Sequence, residues 1–94
     1  MPALLMRLHV ADLAAWRAVF AEQEAVRRAN GSRGGRLYCD AANPREVLVL
    51  LAWDDLERAR LFVDSDDLRE AMVRASVIEE PDVWFLEDIA APTA

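Results

Sequence analysis

The sequence contains no lysine, one histidine and one cysteine, and each shortage excludes a class of chemistry. Without lysine, the protein cannot form a Schiff base through a lysine side chain. The single cysteine, Cys39, excludes an internal disulfide bond and fits a reducing, cytoplasmic environment. His9 and Cys39 are too few for a typical zinc site, which needs three or four clustered ligands. We therefore expect neither a metal nor another cofactor.

Glycine is also scarce, and the three glycines precede a predicted strand instead of a helix. This order is not that of a glycine-rich phosphate-binding loop, which leads into a helix. None of the three serines lies in the pattern of a nucleophile elbow, so we do not expect a serine triad with His9.

Long hydrophobic runs are missing as well. The longest is far shorter than the roughly 20 residues that a membrane-spanning helix requires. The segment Met1–Val10 has no basic start and no small-residue cleavage site, so no secretory signal is expected. We therefore expect a cytoplasmic protein that does not associate with membranes.

Positive charge is limited and unevenly placed. The net charge is −6, and residues 54–94 carry four arginines against twelve acidic residues. This balance argues against nucleic acid as a partner, because phosphate binding depends on lysine and arginine. Arg27 and Arg28 are interpreted as cations in the last turn of a helix, where the helix dipole favours them.

What the chain does have is a strand without a polar face. The seven residues Val47–Trp53 are all apolar, although a strand with one face in water alternates apolar and polar side chains. Helices of the same chain can cover one face, and a second subunit is the simplest cover for the other. This strand therefore predicts a homodimer assembled through its sheets.

Periodicity and capping residues predict the order strand, helix, strand, strand, helix, strand. Asp12 is predicted to cap the first helix and Asp54 the second, Asn30-Gly31 ends the first, and residues 64–67 interrupt the second. Pro81 is expected to end the helical region, and residues 42–45 form the turn between the middle strands. The predicted strands are Leu4–Val10, Gly35–Ala41, Glu46–Trp53 and Val83–Ile89, and the first helix is Leu13–Ala29.

This order favours a single α+β domain over residues 1–94, with an ordered core of about residues 3–89. We predict a ferredoxin-like βαββαβ fold, in which a four-stranded antiparallel sheet carries its helices on one face. The first and third strands are central in this fold, and here they are the most continuously apolar strands.

The first helix suggests a binding site. Trp16 and Phe20 share its apolar face, and Gln23 lies near the middle of that face. A buried amide needs hydrogen-bond partners, so Gln23 bonds either a backbone group or water, or lines a pocket and meets a ligand. On the first strand, His9 shares a face with Arg7. His9 is either a structural residue at the strand end or dimer contact, or it acts on a ligand as a general base or hydrogen-bond donor.

Three strings resemble the antibiotic-biosynthesis-monooxygenase-like superfamily of small dimeric α+β-barrel proteins, and together they span about Leu4 to Glu87. The first runs from Leu8-His9-Val10-Ala11-Asp12 to Phe20, and the second from Val47 to Ala59. The third joins Ser65-x-x-Leu68-x-x-Ala71-Met72 to Pro81-x-Val83-x-Phe85-Leu86.

The resemblance implies a homodimer with the dimeric α+β-barrel fold and a small pocket between helices and sheet in each subunit. It also implies a cofactor-independent monooxygenase, or a related cyclase-like enzyme, that acts on a small aromatic or polyketide-like substrate. In this hypothesis His9 is the catalytic base, Arg7 and Gln23 position the substrate, and Trp16 and Phe20 form the apolar walls. Arg7 faces either the pocket or the dimer contact. The alternative is a homodimer that binds a small aromatic ligand without transforming it. Relatives that degrade haem carry their histidine on a helix, so haem chemistry is disfavoured.

Overall fold

A computed structural model describes residues 1–94 and has the predicted order of elements, with each helical region split in two. The strands are β1 (Ala3–Val10), β2 (Ser32–Asp40), β3 (Asn43–Trp53) and β4 (Val77–Leu86). The helices are α1 (Leu13–Glu22), α2 (Glu24–Ala29), α3 (Leu56–Val63) and α4 (Asp66–Arg74). None of these helices is long and apolar enough to cross a membrane.

The sheet has the order β2-β3-β1-β4, with antiparallel pairing throughout. The predicted ferredoxin-like α+β fold and the central positions of the first and third strands are confirmed. Buried side chains alternate along β1 and β3, at Leu4, Met6, Leu8 and Val10 and at Val47, Val49, Leu51 and Trp53. This face packs on the helices, and the opposite face of the sheet lies open in the single chain.

The helix caps agree with the sequence prediction at two of three sites. Asp12 accepts a hydrogen bond from the Ala15 N–H at 3.1 Å, and Ser65 caps α4 after the predicted interruption. The prediction of Asp54 as a cap was wrong: Asp55 caps α3, and it accepts from the Arg58 N–H at 2.8 Å. The Asp54 carboxylate instead pairs with two arginine side chains, Arg33 at 2.6 Å and Arg58 at 2.9 Å.

Several strand boundaries also differ from the prediction: β2 begins at Ser32, β3 at Asn43 and β4 at Val77, and β4 ends at Leu86. The turn between β2 and β3 is the pair Ala41-Ala42, because Asp40 already pairs with Asn43. Strand β4 begins at Val77 and contains Pro81, which was expected to end a helix. Proline is tolerated there because β4 is an edge strand with a register shift opposite the segment between Arg7 and His9.

The first helix, predicted as continuous over Leu13–Ala29, breaks at Gln23. The Phe20 carbonyl accepts the Gln23 N–H at 3.2 Å and also the Arg27 Nη1 at 2.5 Å. The guanidinium thus binds a carbonyl at the end of α1. The break places α1 and α2 at one end of a cavity between the helices and the sheet.

Candidate functional site

An apolar cavity of about 60 Å³ lies between the helices and the buried face of the sheet. We call it the helix–sheet cavity. Of its 14 lining residues 12 are hydrophobic, contributed by β1, β3, α1, α3 and α4 together with Ala75 just after α4. The two polar ones are Gln23 and Arg27, so any polar recognition inside this cavity depends on these side chains.

Trp16 and Phe20 form one wall of the helix–sheet cavity, as predicted from the period of the first helix. They lie one helical turn apart on α1 and stack, with ring centroids 5.1 Å apart and ring planes 28° apart. Trp16 is buried, whereas Phe20 is only partly buried. Together they form the aromatic part of the cavity lining.

Gln23 sits at the break between α1 and α2 and reaches the same cavity. Its backbone N–H bonds the carbonyls of Val19 and Phe20, both at 3.2 Å. Its side-chain amide forms no hydrogen bond with the protein and is only partly buried. The carboxamide is therefore free to meet water or a polar group of a ligand.

Arg27 is the second polar residue of the cavity, and it is only 8% exposed. Its guanidinium carbon lies 3.5 Å from the centroid of the Phe20 ring. Burial lowers the pKa of Arg27, and the nearby Glu24 carboxylate only partly opposes this effect. The sequence interpretation of Arg27 as a cation in the last helical turn holds for its position, but it missed the burial. The signal was available, because Arg27 lies seven residues after Phe20 and four after Gln23 on the same helical face.

Arg7 and His9 lie on the open face of the sheet, away from the helix–sheet cavity. Arg7 donates to the Asp82 carboxylate at 2.6 Å, and that contact raises the pKa of Arg7. His9 Nδ1 lies 3.2 Å from a carboxylate oxygen of Glu46. Of the five residues predicted to share one site, the fold brings together Trp16, Phe20 and Gln23. It does not bring Arg7 and His9 to them, because the covered face of β1 consists of its even-numbered residues.

The described residues contain no cluster of three histidine, cysteine, aspartate or glutamate side chains that could hold a metal ion. The helix–sheet cavity offers an apolar lining with one amide and one guanidinium as polar contacts.

A sequence profile described as "Antibiotic biosynthesis monooxygenase" matches residues 5–74 of the chain. The chain belongs to this family. The match confirms the resemblance found in the sequence. The matched region contains every residue that lines the cavity except Ala75. No curated protein matches this family member significantly.

Solved structures share the fold of this antibiotic biosynthesis monooxygenase family member. A candidate antibiotic biosynthesis monooxygenase from Bordetella bronchiseptica superposes with a TM-score of 0.79 at 19% identity, over 95% of this chain and 97% of that protein. SnoaB, a cofactor-independent oxygenase from Streptomyces nogalater, superposes with a TM-score of 0.78 at 12% identity, over 99% of this chain and 97% of SnoaB. A candidate antibiotic biosynthesis monooxygenase from Deinococcus radiodurans superposes with a TM-score of 0.74 at 17% identity, over 100% of this chain and 98% of that protein. At these identities the likeness shows a common fold.

Proposed function

We propose that this protein is a cofactor-independent monooxygenase-like enzyme that acts on a small aromatic or polyketide-like molecule. The observation that carries the proposal is the helix–sheet cavity, whose aromatic wall of Trp16 and Phe20 meets only two polar groups. The family assignment supports it, as does the shared fold with SnoaB.

The proposed reaction needs little from the protein. A dihydroxyanthrone-type substrate passes a proton from its ring CH₂ group to water, and the resulting carbanion supplies its electrons to O₂. A C–O bond forms, the peroxide anion takes a proton back from water to give a hydroperoxide, and the hydroperoxide loses water and becomes a ketone. One oxygen atom enters the substrate, and the other leaves in water with the two hydrogens of the CH₂ group. The cavity contributes binding, exclusion of water and stabilisation of the anion.

The size of the cavity sets a condition on this proposal. Pockets for drug-sized ligands measure roughly 300–1,000 Å³, whereas the helix–sheet cavity measures about 60 Å³. A tricyclic substrate therefore requires outward movement of the helices or of adaptable side chains such as Met72, which lines the cavity on α4.

The hypothesis from the sequence that His9 is the catalytic base has a direct test. Because His9 lies across the sheet from Gln23, we expect His9→Ala to change the rate of oxygen uptake with a dihydroxyanthrone less than about twofold. A base that takes the proton in the transition state contributes roughly 10²–10⁴-fold. A loss of that size, with the melting temperature unchanged, would restore His9 to the mechanism.

Gln23 is proposed to position the substrate by accepting a hydrogen bond from a phenolic hydroxyl group. We expect Gln23→Leu to weaken binding of a phenolic anthrone by about fivefold to tenfold, the value of one neutral hydrogen bond. Binding of the corresponding methyl ether without the hydroxyl donor serves as the control and should change little. The melting temperature should not fall, because the amide has no partner in the protein to lose. Equal weakening of both ligands would contradict a hydrogen-bonding role.

The alternative function is binding without catalysis, and one observation favours it: the helix–sheet cavity contains no side chain that could act as a general base. Thermal shift and oxygen uptake measured on the same compounds separate the two functions. A compound that raises the melting temperature without oxygen uptake indicates a binding protein, whereas turnover without added cofactor indicates the enzyme.

We further propose that the protein is a homodimer that pairs through the open face of the sheet. Leu5, Leu48 and Leu50 lie there only partly buried, and Trp84 is 42% exposed. The same face carries both charge signs, in Arg7 and in Asp82. A surface with an apolar centre and both signs can be self-complementary about a two-fold axis, so a second copy of the chain is the occupant we propose. A cytoplasmic location belongs to the proposal, since Cys39 is an exposed free thiol.

A further inference from the structure

A second cavity adjoins the helix–sheet cavity, and its lining is basic. This cavity of about 500 Å³ lies between α2 and the edge strand β2, and we call it the arginine cleft. Its charged lining residues are four arginines and one glutamate: Arg27, Arg28, Arg33, Arg36 and Glu24. In a chain of net charge −6, this is a local excess of positive charge.

Arg27 connects the two cavities, because it lines both of them, as Phe20 and Leu51 also do. Its guanidinium can donate five hydrogen bonds, and the only protein acceptor of its side chain is the Phe20 carbonyl. The other arginines of the cleft differ from it: Arg33 pairs with Asp54, Arg28 lies 3.8 Å from Glu24, and Arg36 is exposed to solvent.

The charge of Arg27 is therefore buried without a carboxylate in salt-bridge contact, and the nearby Glu24 only partly offsets the effect of burial. Removing a charge from water is costly unless the charge is paired and hydrogen-bonded. Burial also lowers the pKa of this guanidinium, as expected for a cation that lacks a close counter-ion. A bound anion would supply the counter-ion that Arg27 lacks.

We propose that Arg27 binds the anionic group of an amphipathic ligand. This ligand is an organic carboxylate with a flat apolar body. The body occupies the helix–sheet cavity beside Phe20, and the carboxylate reaches the Arg27 guanidinium at the boundary with the arginine cleft. This inference rests on the proposed function and names the class of its substrate.

The lining of the two cavities favours an organic carboxylate over inorganic phosphate. Arg27 faces 12 hydrophobic residues on its cavity side, which only a ligand with an apolar part can use. Glu24 lines the arginine cleft, and its negative charge opposes a dianion more than a singly charged group. A planar guanidinium also matches the two oxygens of a carboxylate.

The test compares naphthalene carboxylate with its neutral isostere, naphthalene carboxamide, by calorimetric titration of the full chain. We expect the carboxylate to bind at least about tenfold more tightly, the increment of a hydrogen bond to a charged group. Arg27→Gln should abolish this preference while leaving carboxamide affinity within about twofold. Glutamine removes the charge and keeps a donor for the Phe20 carbonyl.

Arg17→Gln is the matched control, because Arg17 is an exposed arginine of α1 outside both cavities. It removes the same charge and should leave the preference for the carboxylate intact. If Arg27→Gln does not fold, a salt titration of the unmodified protein decides: carboxylate affinity should fall with salt while carboxamide affinity does not.

Each other outcome overturns the inference. Equal affinity for both naphthalene compounds would leave the aromatic cavity standing and remove the anion site. An equal loss in Arg17→Gln would assign the preference to the net charge of the surface. Displacement of the carboxylate by equimolar inorganic phosphate would identify an inorganic anion site. Binding of neither compound would contradict this inference together with the proposed aromatic pocket.

Discussion

Leu50→Asp is expected to convert the proposed dimer of twice 10.6 kDa into a monomer of 10.6 kDa. Leu50 lies on the open face of central strand β3, opposite Leu5 of β1 in the sheet register. A carboxylate there would be buried without a partner on dimerisation, and an uncompensated buried charge costs several kcal/mol. Light scattering at several protein concentrations measures the change in mass.

Leu61→Asp is the matched control for this substitution. Leu61 is an exposed leucine on α3, 68% exposed, on the layer that covers the other face of the sheet. It should remain a dimer, which separates loss of the interface from a general effect of the added charge. A Leu50→Asp protein that stays dimeric, or an unmodified protein that is already monomeric, would refute assembly through the open face.

Gly31→Ala is expected to destabilise the protein by roughly 2–5 kcal/mol, through backbone strain and overpacking together. Gly31 has a φ of +113°, which residues with a side chain rarely adopt. A Cβ there would lie 2.8 Å from the indole nitrogen of Trp53. The indole cannot easily yield, because Trp53 is fully buried and donates to the Asn30 carbonyl at 2.9 Å.

Gly34→Ala separates the two contributions to this loss. Gly34 also has a positive φ, +86°, but no atom lies within 4 Å of the position a Cβ would take. It should lose about 1 kcal/mol from backbone strain alone. Urea unfolding of both variants at one protein concentration, with equal m-values, gives the comparison. Equal losses in the two variants would mean that the contact with Trp53 costs nothing.

The fold was predictable where local signals and burial agree. Asp12 caps α1 as predicted because its side chain is free to accept the amide of the first turn. Asp54 does not cap α3 because Arg33, 21 residues earlier, takes its carboxylate, and no local pattern contains that contact. Pro81 is inside a strand because β4 lies at the sheet edge. The edge position depends on how the whole sheet assembles, so no local pattern predicts it.

The candidate site was predictable in part for the same reason. Helical periodicity alone placed Trp16, Phe20 and Gln23 on one face. Strand alternation placed His9 with Arg7, but alternation does not say which face of a sheet the helices cover. Spacing also places Arg27 beside this face, but its bond to the Phe20 carbonyl depends on the break at Gln23, which helical periodicity does not predict.

A rotation at the break at Gln23 would move α1 as a rigid unit. Trp16 lies seven residues before the break, about 10 Å along the helix axis at 1.5 Å per residue. A rotation of about 10° at Gln23 would therefore swing the Trp16 end of the wall by about 2 Å. The sheet ladder would not have to open, and Arg27 would hold the pivot through its contact with the Phe20 carbonyl. Such a rotation would be one way for the helix–sheet cavity to admit a larger ring system.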